Sequence, residues 1–293
     1  MSYQQQYDAY LARFEEELDR CCQELLPLGS QVNQAARYSL LAGGKRVRAV
    51  LCMAACQLLG GDDDAAARFA CGVEMLHCYS LIHDDLPCMD NDDTRRGKPS
   101  CHKAFGEATA LLAGDLLLTE AFEALATAPA NDTAKARAAF VLAHGAGSAG
   151  MVLGQELDLQ YEGQPVDEAI LRRIHRNKTG ALINAAVQLG VAAAGGTQQD
   201  AERLAAYAYD LGLVFQIVDD VLDVTSTSEE LGKPVGSDAE NQKTTFATLY
   251  GPLGAMGLAE SINQKACARL QGEYGPRADF LTALARQLLQ RRM

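Results

Sequence analysis

The chain has 293 residues, of which 48% are hydrophobic, and a formal net charge of −12. This much apolar material can build a packed core without cross-links. The negative charge argues against a nucleic-acid-binding protein, because that class needs a basic face that releases phosphate counterions. The 9 cysteines lack CxxC spacing and the N-terminus lacks an apolar signal core, so we predict a protein of the reducing cytoplasm.

Alanine- and leucine-rich segments follow helical periodicity, and β-branched runs between hairpin turns are missing. We therefore predict an all-α chain. The predicted helices, in chain order, are residues 7–26, 34–41, 47–59, 65–86, 108–126, 133–161, 167–194 and 198–224, with further helix after 251. Asp167 and Thr197 are predicted N-caps, because their side chains can accept hydrogen bonds from the first free amides. No convincing linker interrupts this pattern, so we predict a single domain over residues 1–293.

The most apolar long stretch, residues 181–196, is a candidate for a membrane span. It contains Asn184 and Gln188 and is shorter than the ~20 residues that a spanning helix needs. We therefore predict a buried helix there and no membrane span.

Three aspartates, Asp84, Asp85 and Asp90, lie in an apolar segment. Two carboxylates about 4 Å apart repel each other by roughly 4 kcal/mol at an effective dielectric near 20, so such a cluster is favoured when it binds cations or protons. Hard oxygen ligands without a Cys or His set favour Mg²⁺ or Ca²⁺. Arg95 and Arg96 follow directly, and carboxylate-bound Mg²⁺ beside arginines is suited to holding a diphosphate.

A second cluster contains Asp219, Asp220 and Asp223. Asp219 and Asp223 are at positions i and i+4 and share one helical face, with Asp220 also within reach. One helix therefore offers a carboxylate pair to a common metal. The polar segment 225–245 follows directly, and it is interpreted either as an active-site flap or as an ordinary surface loop.

The first cluster needs a bend in the chain. On a straight helix, Asp84 and Asp90 would be rotated about 240° from each other. Pro87 disfavours helical geometry at Leu86 and removes a backbone donor. We predict that the helix ends near Asp85 and that a loop folds Asp90 back toward the same site.

These motifs resemble those of the trans-isoprenyl diphosphate synthases, most closely the bacterial farnesyl diphosphate synthases. The matching segments are residues 43–48, 74–99, 111–118, 154–159, 178–183 and 215–224, followed by LGKPVGSD. The first cluster has four residues between its second and third aspartates, which is the bacterial form of the motif. The resemblance implies a helical isoprenoid synthase-type barrel with a deep central apolar pocket, and a homodimer.

The resemblance also implies head-to-tail condensation of isopentenyl diphosphate with an allylic diphosphate. About three Mg²⁺ ions, or Mn²⁺ in their place, would neutralise the departing diphosphate. The implied metal ligands are Asp84, Asp85, Asp90 and Asp219, with Asp220 and Asp223 in the same ligand set or just behind it.

The substrate-binding residues are likewise implied by position. Those implied for the allylic diphosphate are Arg95, Lys178 and Lys233, and those implied for isopentenyl diphosphate are Lys45, Arg48, His77 and Arg96. Lys178, Thr179 and Gln216 are the implied catalytic residues, and the oxygens of the latter two would face the developing carbocation. His83, next to the metal site, is interpreted as a supporting partner rather than as a base.

Tyr79 and Ser80 are the predicted chain-length residues. Tyr79 precedes Asp84 by five positions, or about 7.5 Å along the helix, in the direction in which a growing hydrocarbon would descend. In the family, an aromatic residue at this position is associated with a fifteen-carbon product. Ideal geometry instead places Ser80 beneath Asp84. We predict farnesyl diphosphate as the product, with a geranylgeranyl diphosphate synthase as the alternative.

The sequence argues against two related protein classes, the class I terpene cyclases and the noncatalytic prenyltransferase subunits, and against a dinucleotide-binding or zinc-binding site. A class I terpene cyclase usually has Asn, Ser or Thr and Glu in its second metal motif, and a noncatalytic prenyltransferase subunit would lack ligands that are present here. Gly145, Gly147 and Gly150 form a GxGxxG pattern without a strand before it, so close helix packing is favoured over dinucleotide binding. The cysteines and histidines at Cys71, His77, Cys78 and His83 are interpreted as helix packing and diphosphate binding rather than as a zinc site.

Overall fold

The prediction of an all-α protein is confirmed. The computed structural model describes residues 1–225 and 243–290. In that part, β-structure is confined to a hairpin of β1 (Thr94–Arg95) and β2 (Lys98–Pro99). The helices are α1 (Tyr3–Leu25), α2 (Gln31–Leu40), α3 (Val47–Leu58), α4 (Asp63–Asp84), α5 (Cys101–Phe105), α6 (Glu107–Ala126), α7 (Asp132–Ala146), α8 (Met151–Gln160), α9 (Glu168–His175), α10 (Ala181–Ala193), α11 (Gln198–Thr225), α12 (Phe246–Tyr274) and α13 (Asp279–Leu289). A π-helical turn, Arg176–Gly180, joins α9 to α10, and a 3₁₀ turn, Gly275–Ala278, joins α12 to α13.

The chain divides into two compact units. Unit 1 comprises Met1–Phe140 and Leu189–Gly195, and unit 2 comprises Val141–Gln188 and Gly196–Met293. Two of the three boundaries fall inside α7 and α10, and the third lies between α10 and α11. The single domain over residues 1–293 stays a prediction.

Unit 1 is organised around α4, which is buried along most of its length. A helix with apolar residues on nearly every side is stable in a core rather than at a surface. Asp62 caps its N-terminus by accepting hydrogen bonds from the amides of Asp64 (2.8 Å) and Ala65 (3.4 Å). The helix ends at Asp84, so the first aspartate of the motif lies at its C-terminus.

Unit 2 has a core in which one face of α11 packs with α12. Its buried side chains include Val214, Ile217, Val218 and Phe246. The neighbouring positions Gln216 and Asp219 are only half-buried. The packing of α11 therefore leaves polar groups of the second motif partly accessible.

The single helix predicted over residues 133–161 is wrong. The structure has two helices, α7 and α8, because the chain turns between Ala146 and Met151. A Cβ atom on Gly150 would lie 2.1 Å from the carbonyl oxygen of Gly145, so only glycine fits this turn. A Cβ on Gly145 would lie 2.8 Å from that of Ala185, and this confirms the packing interpretation of these glycines.

One stretch, Asp132–Gln160, is long and apolar enough to cross a membrane by length and composition, with a mean hydropathy of 1.2. It is not a continuous helix, because α7 and α8 are separate. Asp158 within it forms ion pairs with Lys178 and Lys243. A single such stretch is weak evidence for a span, and the absence of a span stays a prediction.

All the cysteines lie in the described part of the chain and all are free thiols. Cys88 is exposed, whereas the others are buried. Buried thiols act as small apolar groups in the core. Burial also raises the pKa of Cys78 and of Cys56 to about 12, so these thiols stay protonated at neutral pH.

A buried ion network connects α1 to α4 in unit 1. The guanidinium of Arg68, 3% exposed, contacts the carboxylates of Glu17 (3.3 Å) and Glu24 (2.8 Å) and the hydroxyl of Thr127 (2.9 Å). Glu17 is itself only 4% exposed. Glu17 also lies 3.0 Å from Arg20 and 3.6 Å from Arg13, but both of these arginines are more exposed than Arg68. Removing Arg68 therefore takes away the buried cation next to this carboxylate.

We expect Arg68→Ala to lower the free energy of unfolding by roughly 3 kcal/mol, since Glu17 then loses the buried member of its ion pairs and keeps only the more exposed ones. Urea unfolding followed by circular dichroism measures this change. Arg203→Ala is the control, because Arg203 pairs with Glu273 at the surface, where both side chains are more than 30% exposed; its effect should stay below about 1 kcal/mol. Equal midpoints for the two variants would contradict a stabilising role of the network.

Candidate active site

The chain after α4 folds back, as predicted from Pro87. The amide of Asp90 donates a hydrogen bond to the carbonyl of Asp84 (2.9 Å), and the amide of Asn91 donates to the carbonyl of Leu86 (3.1 Å). Asn91 has a φ of 52°, in the left-handed region that asparagine tolerates. This compact turn brings the first and third aspartates of the motif next to each other, and the hypothesis of a bend is confirmed.

Asp85, the second aspartate, is 2% exposed and is bound by an arginine. Arg95, on β1, donates to its Oδ1 through Nε (2.9 Å) and through Nη2, and also contacts Asp92 at 3.1 Å. Burial raises the pKa of Asp85, and the ion pair with Arg95 opposes this shift. Asp85 therefore has a partner within the protein, whereas Asp90 is exposed.

Basic side chains gather around His77 in the same unit. The pKa of His77 is held well below its usual value by desolvation and then by the positive charges of Arg48, Arg96 and Arg95. The ring is therefore neutral at pH 7 and can donate one hydrogen bond without adding to the cationic repulsion. A bound anion among these groups would raise that pKa again.

Arg96 reaches the glycine-rich loop before α3. Its Nη1 donates to the carbonyl of Gly43, and a Cβ on Gly44 would lie 3.1 Å from its guanidinium carbon. The carbonyl of Lys45 accepts a hydrogen bond from the hydroxyl of Tyr7. Lys45, Arg48, His77 and Arg96, which were predicted to form one diphosphate site, thus lie on segments of unit 1 that contact one another.

Tyr79 and Ser80 have different surroundings. The Tyr79 side chain is 9% exposed, and its ring meets the His83 ring edge-on at 5.3 Å. Desolvation and then the charges of Asp84 and Asp115 raise the pKa of its phenol. The hydroxyl of Ser80 donates to the carbonyl of His77 in its own helix (2.9 Å).

The helix predicted over residues 167–194 is confirmed as one helical run from Glu168 to Ala193, and a π-helical turn, Arg176–Gly180, lies inside it between α9 and α10. Close packing accompanies this turn: a Cβ on Gly154 would lie 2.0 Å from the amide nitrogen of Lys178. π-Turns insert one extra residue into a helix and are frequent at functional sites. Here the turn carries Lys178 and Thr179 and presents them beside α8 and α11.

Two lysines share one carboxylate in this unit. Lys178 Nζ lies 2.6 Å, and Lys243 Nζ 3.1 Å, from the Oδ2 atom of Asp158. Burial would raise the pKa of Asp158, but the two ammonium groups outweigh this effect and lower it. The three groups carry one net positive charge, which favours an anionic ligand. Sequence reasoning missed Lys243, whose only signal was a lysine in the polar segment after the second motif.

Thr179 and Gln216 are brought together as predicted. The hydroxyl of Thr179 donates to the Oε1 atom of Gln216 across 2.7 Å. The hydroxyl oxygen therefore keeps lone pairs that can face an electron-poor centre. This pair lies in the same unit as Lys178.

The second aspartate motif lies at the end of α11. Asp220 is 5% exposed, and its Oδ2 accepts a hydrogen bond from the amide of Phe246 at the start of α12 (2.8 Å). His175, which stacks on the Phe246 ring at 5.7 Å, places its Nε2 atom 3.6 Å from the same oxygen. Asp220, on α11, thus contacts the end of α9 through His175 and the start of α12 through Phe246. Asp223 is also 5% exposed, and Asp219 is half-buried.

The donor set is suited to Mg²⁺, since every predicted ligand is a carboxylate and Asp90 is folded back to Asp84. Within residues 1–225 and 243–290, no group of three Cys, His, Asp or Glu side chains already forms a metal-binding arrangement. The first motif belongs to unit 1 and the second to unit 2. Lys233 and most of the segment 225–245 lie outside the described residues.

Comparison with known proteins yields matches across the chain. A family model described as polyprenyl synthetase matches residues 30–265. The heterodimeric geranylgeranyl pyrophosphate synthase large subunit 1 of Arabidopsis thaliana, a chloroplastic protein, is 45% identical over 97% of this chain and 79% of its own length.

Solved structures match as well. A geranyltransferase from Legionella pneumophila superposes with a TM-score of 0.87 and 38% identity, covering 98% of this chain and 96% of the other. A geranyltransferase from Helicobacter pylori, complexed with magnesium and isoprenyl diphosphate, has a TM-score of 0.84 and 32% identity, covering 96% and 98% of the two chains.

Proposed function

This chain belongs to the polyprenyl synthetase family, and on this premise we propose that it condenses isopentenyl diphosphate with dimethylallyl and then geranyl diphosphate to form farnesyl diphosphate. The observation that carries the proposal is that each unit sets carboxylates beside cations. Unit 1 has Asp85 against Arg95, and unit 2 has Asp158 against Lys178 and Lys243. Such pairs are suited to a metal-bound diphosphate.

The carboxylates that we propose for Mg²⁺ are Asp84 and Asp90 in unit 1 and Asp219 and Asp223 in unit 2. Asp85 and Asp220, which are already bound by Arg95 and by the Phe246 amide, would orient them. When bound, Mg²⁺ would supply the positive charge that stabilises a departing diphosphate.

Basic side chains of the protein would bind the two diphosphates. Lys178, Lys243, Arg95 and Lys233 would bind the allylic diphosphate. Its C–O bond breaks and the electron pair leaves with the diphosphate. Lys45, Arg48, His77 and Arg96 would hold the second diphosphate by charge and hydrogen bonds alone.

The new bond forms when the double bond of isopentenyl diphosphate attacks the allylic carbon. The oxygens of Thr179 and Gln216 would stabilise the positive charge at that carbon and at the condensed intermediate. A proton then leaves the carbon between the cationic centre and the carbon that bears the diphosphate, which forms the new double bond, and the released diphosphate accepts that proton. No protein base is required for this step.

Product length has two candidates. Tyr79 supports the fifteen-carbon product, because its ring is nearly buried and packs edge-on against His83. The relative from Arabidopsis is named a geranylgeranyl pyrophosphate synthase subunit, and this favours twenty carbons as the alternative. Incubation of the purified protein with Mg²⁺, isopentenyl diphosphate and dimethylallyl diphosphate, followed by product chromatography, separates the two. A protein that makes no condensation product would contradict the proposed function. The homodimer and the cytoplasmic location remain predictions.

We expect Tyr79→Ala to shift the main product by at least one five-carbon unit, since removing the ring opens space for further extension. The product distribution at equal substrate ratios measures this shift. Tyr161→Ala is the control, because Tyr161 follows α8 in the other unit; its product distribution should match that of the parent protein. An unchanged distribution in Tyr79→Ala would contradict the role of Tyr79 in limiting product length.

We expect Gly154→Ala to lower kcat/KM by roughly 10²-fold, the cost of displacing catalytic groups by about 1 Å. The added methyl would overlap the Lys178 backbone and push Lys178 and Thr179 out of place. Steady-state kinetics measures the loss, with circular dichroism to verify folding. Gly272→Ala is the matched control, because a Cβ there meets nothing within 4 Å. A Gly154→Ala enzyme with parental kinetics would show that the π-turn tolerates movement.

A further inference from the structure

We propose that Gly114 and His83 act as a positioning pair that fixes the Tyr79 ring and thereby helps to set product length. The inference rests on the proposed function and extends it from Tyr79 to two residues with no assigned part in chain length. All three residues lie in unit 1, on α4 and α6.

Gly114 leaves space that the imidazole of His83 occupies. A Cβ atom at this position would lie 2.1 Å from His83 Nε2 and 2.4 Å from His83 Cδ2. Both atoms are at the far end of the His83 side chain, so a methyl at residue 114 would be accommodated by moving the imidazole away from α6. The imidazole of His83 can therefore lie against the α6 backbone only because residue 114 has no side chain.

His83 is held in place by a hydrogen bond to the backbone of α6. Its Nε2 atom lies 3.0 Å from the carbonyl oxygen of Leu111 and 3.9 Å from the Asp115 carboxylate. A carbonyl only accepts, so Nε2 carries the hydrogen and donates it. This hydrogen bond fixes the plane of the imidazole relative to α6.

The imidazole of His83 also contacts the Tyr79 ring. The two rings meet edge-on, with centroids 5.3 Å apart and planes at 88°, which is a favourable aromatic geometry. Tyr79 and His83 are one helical turn apart on α4, so their side chains are neighbours. The imidazole thus forms one wall of the space in which the Tyr79 ring is held.

Through these three contacts, α6 holds the imidazole of His83, and the imidazole in turn holds the Tyr79 ring. If the imidazole leaves Gly114, the Tyr79 ring loses the wall that keeps it in one orientation. A ring that moves aside admits a longer hydrocarbon for part of the time. We therefore expect variants of the pair to raise the ratio of the next longer product to the parental product by about two- to tenfold, the range set by one aromatic contact.

The test measures that ratio for Gly114→Ala, His83→Ala and His83→Gln, each alone and combined with Tyr79→Ala. His83→Gln keeps an amide donor for the Leu111 carbonyl but removes the ring, and it decides the case if an alanine variant does not fold. Gly257→Ala is the control, because a Cβ there meets nothing within 4 Å. General loosening of the fold lowers the rate in every variant but leaves the ratio unchanged.

A raised ratio in the single variants, with no further rise when Tyr79 is already alanine, supports the proposal. A parental ratio in His83→Ala and His83→Gln overturns it, as does an equal rise with and without Tyr79. These outcomes are distinct from failure of the proposed function, in which the parent protein itself makes no condensation product and the inference falls with it.

Discussion

Replacing Asp84 by asparagine is expected to lower kcat/KM for condensation by roughly 10³-fold, the upper range for losing one group that stabilises transition-state charge. Asp84 ends α4, and the turn at Pro87 returns Asp90 to its backbone carbonyl. Asparagine keeps the size of the side chain and the helix end but removes the negative charge. The loss should therefore appear in kcat rather than in folding.

Asp93→Asn is the matched control for Asp84→Asn. Asp93 belongs to the same acidic segment, but its carboxylate is exposed and pairs with Lys103 at 2.8 Å. Its activity should stay within about twofold of the parent protein, because a surface ion pair contributes little. Raising the Mg²⁺ concentration should restore part of the activity of Asp84→Asn and none of that of a misfolded protein. Equal rates for both variants would remove Asp84 from the proposed metal ligands.

Replacing Lys178 by methionine is expected to lower kcat/KM by roughly 10²-fold to 10³-fold. Methionine retains most of the apolar stem but cannot pair with Asp158. Lys178 lies on the π-turn that packs against Gly154, and its ammonium is 2.6 Å from Asp158. The variant leaves Lys243 as the remaining partner of that carboxylate, so we expect weaker binding of the allylic substrate as well as slower cleavage.

Kinetics with geranyl diphosphate as the varied substrate measures both effects. Lys265→Met, on the exposed surface of α12, is the control for loss of one positive charge. A double variant of Lys178 and Lys243 should lose more activity than either single variant if both bind the same diphosphate. Parental kinetics in Lys178→Met would leave the shared carboxylate as a purely structural ion pair.

The second motif illustrates how far sequence reasoning reached. The i and i+4 spacing of Asp219 and Asp223 correctly predicted a helix that carries both. It did not predict that Asp220 would accept a hydrogen bond from the Phe246 amide, since that partner is 26 residues away. Local spacing determines which side chains share a face, whereas partners from distant segments depend on packing.

The helix ends also separate features that local sequence predicts from features that depend on packing. The caps at Asp167 and Thr197 were predicted from short side-chain oxygens, and both accept the expected amide hydrogen bonds, from Ile170 (2.9 Å) and Asp200 (3.1 Å). The break between α7 and α8 and the π-turn after α9 were not predicted. The first is a tight turn in which Gly150 lies against the Gly145 carbonyl, and the second packs its backbone against Gly154 of another helix. Helical periodicity continues through such positions without a signal.

The sequence by itself determined the all-α class, the bend at Pro87, the caps and the identity of the two aspartate motifs. These follow from residue type and spacing over a few positions, where steric and hydrogen-bonding preferences act directly. The tertiary structure alone decided that Arg95 binds Asp85, that Lys243 joins Lys178 on Asp158, and that Gly114 makes room for His83 beside Tyr79. Those contacts join positions at least 10 residues apart, beyond the few positions over which local preferences act, so they form only when the chain has folded back on itself or the helices have packed.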